Sequence, residues 1–293
     1  MLTTAVYDVR HVSSYRYSRP VRSCALSLCL KPLEGDGQEL LSFELSTVPP
    51  ASPTAETDSF GNTKHILNIH QSTDFLEVGA RSTVSVSRSS LLPMEHLDAG
   101  AWDEIRSWQD SFDRWEFLKP SAFARPSDAL QEFIDEVGIA PCEDPLGSLL
   151  ALSESLHHHF RYVPGSTTAI SPIEHILEWR EGVCQDYAHV MITIARDWGI
   201  PARYVSGYLY VESQDHDLAP ETASHAWVEC LLPGLGWTGF DPTNQCISDE
   251  RHIRVGIGRD YQDVAPVRGI FTGGGDSELA VGVRVRMIPP ASG

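Results

Sequence analysis

Basic residues are scarce in this sequence of 293 residues. It carries 22 Lys and Arg against 40 Asp and Glu, which gives a formal net charge of −18. A surface this acidic repels phosphate groups, so the composition argues against binding to nucleic acids and to anionic membranes. Long apolar runs are also missing, and we expect no membrane-spanning helix. The first twenty residues show no basic segment followed by an apolar stretch, so we expect no signal peptide and a cytoplasmic protein.

The six cysteines lack the spacing of a metal or redox motif, because no two of them form a Cys-x-x-Cys pair. In a reducing compartment we expect them to be free thiols. The acidic residues show no Asp-x-Asp-x-Asp-Gly pattern of a calcium loop. The consecutive histidines 157–159 would point to different faces of a helix, which is a poor arrangement for binding one metal ion. We therefore expect no metal and no cofactor.

The rest of the composition is that of a globular protein of about two domains. Short alternating runs predict an antiparallel, sandwich-like β domain over residues 1–88. Residues 89–125 are interpreted as a connector, and residues 126–293 as a domain with helices packed on an antiparallel sheet. Segment 278–288 alternates cleanly and predicts a late strand that could pack with either domain. The predicted fold class is α+β.

Cys184 differs from the other cysteines in its position. It begins a predicted helix over residues 184–198 whose interior is apolar nearly all round, which is typical of a helix buried in a domain centre. Free backbone N–H groups and the positive end of the helix dipole favour a thiolate at such a position. A thiolate is the nucleophile of cysteine-dependent acyl transfer. Position alone leaves a structural thiol as the alternative.

A predicted β-hairpin supplies a base for this thiol. Residues 224–230 and 236–242 are predicted to be two strands joined by a short turn. If the turn is centred on Pro233, His225 and Asp241 are equally far from it and lie directly opposite each other on one face. A carboxylate beside a histidine fixes its tautomer and stabilises the imidazolium. The hypothesis is a triad in the chain order Cys184, His225 and Asp241, which papain-like enzymes also use.

Four segments together resemble the bacterial transglutaminase-like superfamily: 182–189 (GVCQDYAH), 199–208 (GIPARYVSGY), 224–229 (SHAWVE) and 236–243 (GWTGFDPT). The N-terminal β region resembles the N-terminal domain that often precedes this core. The resemblance implies a papain-like core in which a helix carries the nucleophile and packs on an antiparallel sheet. It further implies Cys184 as nucleophile, His225 as general base and then acid, and Asp241 as the residue that orients His225.

The activity implied by the resemblance is acyl transfer on peptide or protein amides through a thioester. The partner would be a peptide or protein substrate, and the second step would be transamidation or amide hydrolysis. A cysteine peptidase or amidase is the alternative enzyme, and a catalytically idle binding or assembly module is the alternative outside catalysis.

Candidate substrate contacts are weaker predictions. Trp227 and Tyr208 are candidate walls of the cleft, although each could equally belong to the core. The backbone N–H of Cys184 is one candidate donor to the oxyanion. A second donor could be Gln185, Trp179 or a residue near 162–168.

Overall fold

The computed structural model describes residues 3–88, 96–98, 100–212 and 224–289. The first strands of the chain, together with two strands near its end, form one seven-stranded sheet. Their bounds are β1 Thr3–Leu28, β2 Gln38–Val48, β3 Thr54–Thr57, β4 Thr63–Ile69 and β5 Thr73–Arg88. Burial alternates almost residue by residue along β5, as expected for a strand with one face on a core. The short alternating runs of the sequence are the cause of this pattern.

The 26-residue strand β1 organises this sheet. Its first half pairs with β5 and its second half with β4, both antiparallel, and the register is interrupted between Arg16 and Val21. A cluster of buried apolar residues fills the space between the two halves, among them Leu26, Leu67 and Leu76. The N-terminal region is thus one antiparallel sheet with its own apolar cluster, and the sandwich-like form stays a prediction.

Two late strands complete the N-terminal sheet. These are β13, Val267–Gly273, and β14, Ser277–Ile288. Both pair antiparallel with β1, β13 with its second half and β14 with its first half. The sequence left the packing partner of segment 278–288 open, and the structure places this strand beside β1.

The remaining elements build a mixed core. The helices are α1 Ala101–Ser107, α2 Phe112–Trp115, α3 Asp128–Val137, α4 Pro145–His159, α5 Ile173–Trp179, α6 Cys184–Asp197 and α7 Tyr261–Val264. The strands are β6 Arg161–Tyr162, β7 Glu181–Gly182, β8 Ala202–Leu209, β9 Ser224–Leu232, β10 Gly236–Asp241, β11 Cys246–Ile247 and β12 His252–Gly258. Strands β6 and β7 form a small parallel pair, and the larger sheet is antiparallel with the order β11-β10-β9-β8-β12.

Helix α6 lies at the centre of this core. Its residues from Gln185 to Arg196 are all buried, because its apolar side chains contact the sheet on one side and other helices on the other. Helices α1 and α2 fall in the segment predicted as a connector, and residues 89–95 and 99 of that segment lie outside the described residues. Ile105 of α1 and the adjacent Trp108 pack into the same apolar cluster as α4 and α6.

The two sheets are joined by a second apolar contact. Tyr7 and Val9 of β1 and Val283 of β14 pack against Tyr208 of β8 and Ile253 of β12. The predicted fold class is confirmed: the protein is α+β, with an N-terminal antiparallel sheet and a papain-like core. Among the helices in the described ranges, none combines the length and the apolar character needed to cross a bilayer.

Candidate active site

Cys184 is the first residue of α6 and follows the short strand β7. Asp186 caps the N-terminus of this helix, because its Oδ2 accepts a hydrogen bond from the Val183 backbone N–H at 2.8 Å. The same oxygen accepts the Thr167 hydroxyl at 2.5 Å, which ties the loop after β6 to the helix. The half-buried Cys184 thiol is thus held at a helix N-terminus, where the first backbone N–H groups have no intrahelical partner.

His225 of β9 stands between Cys184 and Asp241. Its Nε2 lies 2.7 Å from Oδ2 of Asp241. The Cys184 thiol lines the same cleft as this ring and raises its pKa. Because Nε2 faces the carboxylate, Nδ1 is the ring nitrogen left to face the sulfur. The structure therefore brings the three predicted triad residues together in the order thiol, imidazole, carboxylate.

The hairpin that carries this pair has a different register from the predicted one. Leu232 pairs with Gly236 and Val228 with Phe240, so the turn is centred on Gly234. Asp241 consequently lies diagonal to His225, and the prediction that they are directly opposite is wrong. Moving the turn centre by one residue shifts the pairing by two, which keeps both side chains on the same face. Diagonal neighbours on one face remain within reach of a long side chain, so the hydrogen bond still forms.

The buried Asp241 carboxylate accepts hydrogen bonds at both oxygens. Oδ1 accepts the backbone N–H groups of Thr243 and Asn244 at 3.1 and 3.2 Å. Oδ2 accepts the Asn244 side-chain amide at 2.7 Å in addition to the His225 ring. It also faces Nε2 of His252 at 3.2 Å. Burial raises the pKa of Asp241, but the two histidine rings outweigh burial and hold the pKa below its usual range.

Burial and charge also compete at His225. Desolvation lowers the pKa of the ring, whereas the Asp241 carboxylate and the Cys184 thiol favour its charged form. The second effect prevails, and the pKa of His225 stands well above its ordinary value. A ring with this preference holds a proton next to the sulfur and stabilises an imidazolium.

The aromatic residues predicted as cleft walls lie beneath the site. Trp227 is fully buried, with its ring 6.1 Å from that of His225 and nearly parallel to it. Gly207 makes this possible, because a Cβ there would come within 2.7 Å of the Trp227 ring. Tyr208 is buried as well and contacts Nδ1 of His11 through its hydroxyl at 3.2 Å. Both side chains support the cleft from the core and do not line it.

The two candidate oxyanion donors lie in different places. Gln185 lines the cleft beside Cys184, and its side-chain amide donates to the Ala169 carbonyl at 3.2 Å. That bond uses one of its two N–H hydrogens. Trp179, at the end of α5, is 63% exposed and lies outside the cleft lining. The loop after β6 contributes Thr167 and Thr168 to the lining.

A cleft of about 420 Å³ opens over Cys184 and His225. One wall comes from the core and includes Tyr204. The opposite wall comes from the N-terminal sheet, with Tyr15 of β1 and Val281 of β14 among its residues. The site is therefore assembled from both ends of the chain, which the sequence did not indicate.

His225, Asp241 and His252 also form a group whose donor atoms lie within 4.8 Å of one another, a spacing that could suit a metal ion. Hydrogen bonds account for this spacing, since both carboxylate oxygens already accept N–H groups. A metal ion would have to displace the His225–Asp241 hydrogen bond. We assign the cluster to a hydrogen-bonded network.

His252 and Asn244 are site residues that sequence reasoning missed. Asn244 lies three residues after Asp241, so an Asx-type turn after the strand was the available signal. His252 begins β12, three strands away from β10 in the sheet. It reaches Asp241 because the loop 248–251 crosses the end of the sheet, which no local pattern reveals.

The fold and the site together define a papain-like protein with a cysteine on a central helix and a histidine–aspartate pair on the facing sheet. Residues 133–242 match the model of the transglutaminase-like superfamily, and residues 7–85 match the bacterial transglutaminase-like N-terminal region. The chain belongs to the transglutaminase-like superfamily.

The chain is also similar to individual proteins and to a solved structure. The uncharacterized protein ML0607 of Mycobacterium leprae is 31% identical over 287 residues, which cover 94% of this chain and 97% of that protein. A protein-glutamine gamma-glutamyltransferase of Pseudomonas aeruginosa is 32% identical over 148 residues, 48% of this chain and 22% of that protein. The solved structure of a candidate cysteine protease from Cytophaga hutchinsonii shares the fold, with a TM-score of 0.75 and 20% identity over 99% of this chain and 94% of that one.

Proposed function

We propose that the protein catalyses cysteine-dependent acyl transfer from peptide or protein amides through a thioester intermediate. The observation that carries the proposal is the order in which three side chains of the site follow one another. The Cys184 thiol and the His225 ring line one cleft, the thiol raises the pKa of the ring, and Nε2 of that ring lies 2.7 Å from the Asp241 carboxylate. Nucleophile, base and orienting acid therefore stand in the sequence that such chemistry requires.

In the proposed first half-reaction His225 first accepts a proton and then donates it. The Cys184 thiol gives its proton to Nδ1 of His225, and the sulfur attacks the amide carbonyl carbon. The His225 imidazolium then protonates the amide nitrogen, the C–N bond breaks, and ammonia or an amine leaves. A thioester remains on Cys184. Asp241 keeps the proton of Nε2 in place and stabilises the imidazolium during both transfers.

The tetrahedral intermediate needs hydrogen-bond donors for its oxyanion. The backbone N–H of Cys184 is one, because it belongs to the first turn of α6. We propose the side chain of Gln185 as the second, since it lines the cleft and retains one amide hydrogen. Trp179 does not line the cleft, so we do not assign it this role.

The cleft favours an uncharged acyl donor. Among the lining residues that the structure describes, none is Asp, Glu, Lys or Arg. Burial lowers the pKa of His11 to about 4, so this ring in the wall is neutral at pH 7. Tyr15, Tyr261 and Val281 present apolar surface near the thiol. A neutral amide flanked by apolar groups fits these walls better than a charged one.

The second half-reaction depends on which acceptor reaches the thioester. The Pseudomonas aeruginosa relative is named a protein-glutamine gamma-glutamyltransferase, which supports an amine acceptor for this chain. Hydrolysis by water is the alternative outcome. Incubation with a glutamine-containing peptide and a labelled primary amine distinguishes the two. Incorporation of label means transamidation, and release of ammonia without label means hydrolysis.

The enzyme proposal is tested at Cys184. Alkylation by iodoacetamide near pH 7 should modify Cys184 before the other five thiols, as read by peptide mass spectrometry. The Cys184→Ala variant should lose ammonia release and label incorporation. Cys142→Ala is the matched control, because Cys142 is an exposed thiol outside the cleft. Full activity in Cys184→Ala would reject the mechanism, and inactivity of the wild type on all amides would favour a binding module.

A further inference from the structure

A second histidine shares the triad carboxylate. Oδ2 of Asp241 faces Nε2 of His225 at 2.7 Å and Nε2 of His252 at 3.2 Å. The two rings have their centroids 6.2 Å apart. Both are therefore bound to one oxygen, and any change of charge on one ring acts on the other through it.

His252 is fully buried and is held on its other side by a second carboxylate. Its Nδ1 lies 3.0 Å from Oδ1 of Asp249. Asp249 is in turn held by Arg251, whose guanidinium donates to both of its oxygens. The rings of Trp227 and His252 meet edge to face, with their centroids 5.2 Å apart. Each ring nitrogen of the buried His252 therefore faces a carboxylate.

One polar group opposes a charge on the His252 ring, because the backbone N–H of Asp249 points at Nδ1 at 3.1 Å. The carboxylates of Asp241 and Asp249 and the thiol of Cys246 favour the charged form. Arg88 approaches from β5 but donates to the backbone carbonyl, at 3.1 Å. Burial lowers the pKa of His252, whereas Asp241, Asp249 and Cys246 raise it, and the balance brings the pKa to about 9.

At pH 7 the sign of the charge then alternates from each residue of the site to the next. His225 carries a proton when Cys184 is ionised, Asp241 is negative, His252 is positive and Asp249 is negative. Arg251 ends the line at the surface, where its side chain is 48% exposed. Without the charge on His252, the thiolate–imidazolium pair would stand next to an unbalanced buried carboxylate, which is costly.

We propose that His252 is a positioning residue that holds Asp241 against His225 and, through its positive charge, limits how strongly His225 keeps its proton. This inference rests on the proposed function of the Cys184–His225 pair. A triad histidine must both accept and release a proton, so a carboxylate that bound it too strongly would slow the release.

The charge and the ring can be removed separately. His252→Gln replaces the ring with an amide, which can still donate to Asp241 and carries no charge. Asp249→Asn keeps the ring but takes away a carboxylate that favours its charged form. His252→Gln removes the like charge near His225, and Asp249→Asn weakens it by lowering the pKa of His252, so the pKa of His225 should rise in both variants. His65→Gln, at a mostly buried histidine of the N-terminal sheet, is the matched control.

The readout is the pH dependence of Cys184 alkylation by iodoacetate, an anion that reacts best while the imidazolium is present. We expect the alkaline limb of this profile to move up by about one pH unit in His252→Gln and in Asp249→Asn. It should stay in place in His65→Gln. Limbs that stay at the wild-type position in both variants would overturn the inference. A merely structural role would lower folded yield without moving the limb.

A titration of the wild type keeps the inference testable if a variant fails to fold. Ring signals of isotope-labelled histidines should show His252 charged up to about pH 9. A neutral His252 ring at pH 7 would refute its assigned role. If instead Cys184 shows no preferential alkylation at any pH, the proposed function fails and the role of His252 falls with it. If Cys184 is alkylated preferentially but the alkaline limb of the pH profile stays in place in both variants, only the role of His252 is refuted.

Discussion

Replacing Asp241 with asparagine removes one of two acceptor oxygens, and both of these oxygens already accept hydrogen bonds. Both oxygens accept N–H groups, two backbone ones at Oδ1 and side-chain donors at Oδ2. Whichever way the new amide turns, its NH2 group faces donors. With the NH2 group toward His225, Nε2 must become the acceptor, and the ring proton moves to Nδ1. Nδ1 then cannot take the proton of Cys184, so the base is lost.

The size of the effect follows from this change of tautomer. The same substitution in a serine-protease triad lowers kcat by about 10⁴-fold. At about 1.4 kcal/mol per decade, this is about 5 kcal/mol of transition-state stabilisation. The amide also leaves buried donors unpaired in Asp241→Asn, at a cost of about 1–3 kcal/mol in the free energy of unfolding.

The assay follows ammonia release from a glutamine peptide, together with the alkylation rate of Cys184 between pH 5 and 9. Asp58→Asn is the matched control, because Asp58 also accepts two backbone N–H groups but lies in the N-terminal region, outside the cleft. It should lose stability without losing turnover. Turnover in Asp241→Asn within about tenfold of the wild type would contradict the assigned base and its orientation.

Three further outcomes are expected. Gly207→Ala should lower the free energy of unfolding in urea by about 3 kcal/mol or more, because the new Cβ would lie 2.1 Å from a backbone carbonyl and 2.7 Å from the Trp227 ring. Val281→Asp should slow alkylation of Cys184 by iodoacetate about tenfold more than by neutral iodoacetamide, since it puts a negative charge in the cleft wall; equal slowing would place Val281 away from the reagent path. Because the pKa of His252 is raised to about 9, the charged ring stabilises the fold fully below about pH 6.5, and this stabilisation is lost as the pH rises through 9. Between pH 6 and 10 the free energy of unfolding of the wild type should therefore fall by about 3 kcal/mol more than that of His252→Gln. Equal losses in urea titrations would contradict this.

The fold and the placement of Cys184, His225 and Asp241 close together could be predicted because each depends on local signals. Cys184 follows a glycine-containing turn and begins an apolar helix, and His225 and Asp241 lie on one hairpin. The hairpin also shows the limit of such reasoning. Residue counting placed its centre at Pro233, whereas the structure centres it on Gly234, which adopts a positive φ. The side-chain period of two made the error harmless for the site.

The residues that the sequence did not reveal depend on contacts between distant segments. His252 meets Asp241 only because a loop crosses the end of the sheet. The cleft wall of Tyr15 and Val281 exists because β14 returns to β1, more than 200 residues away along the chain. Periodicity reports which face of a strand is buried but not which strand becomes its neighbour.

The return of β14 to β1 also sets the timing of assembly during synthesis. The helix with Cys184 and the hairpin with His225 and Asp241 leave the ribosome before residues 277–288 do. A nascent chain at that point has Cys184, the proposed nucleophile, and the β1 part of the second cleft wall, but it lacks Leu279 and Val281 of β14. The cleft over Cys184 is therefore complete only after the last strand of the sheet has joined the first one.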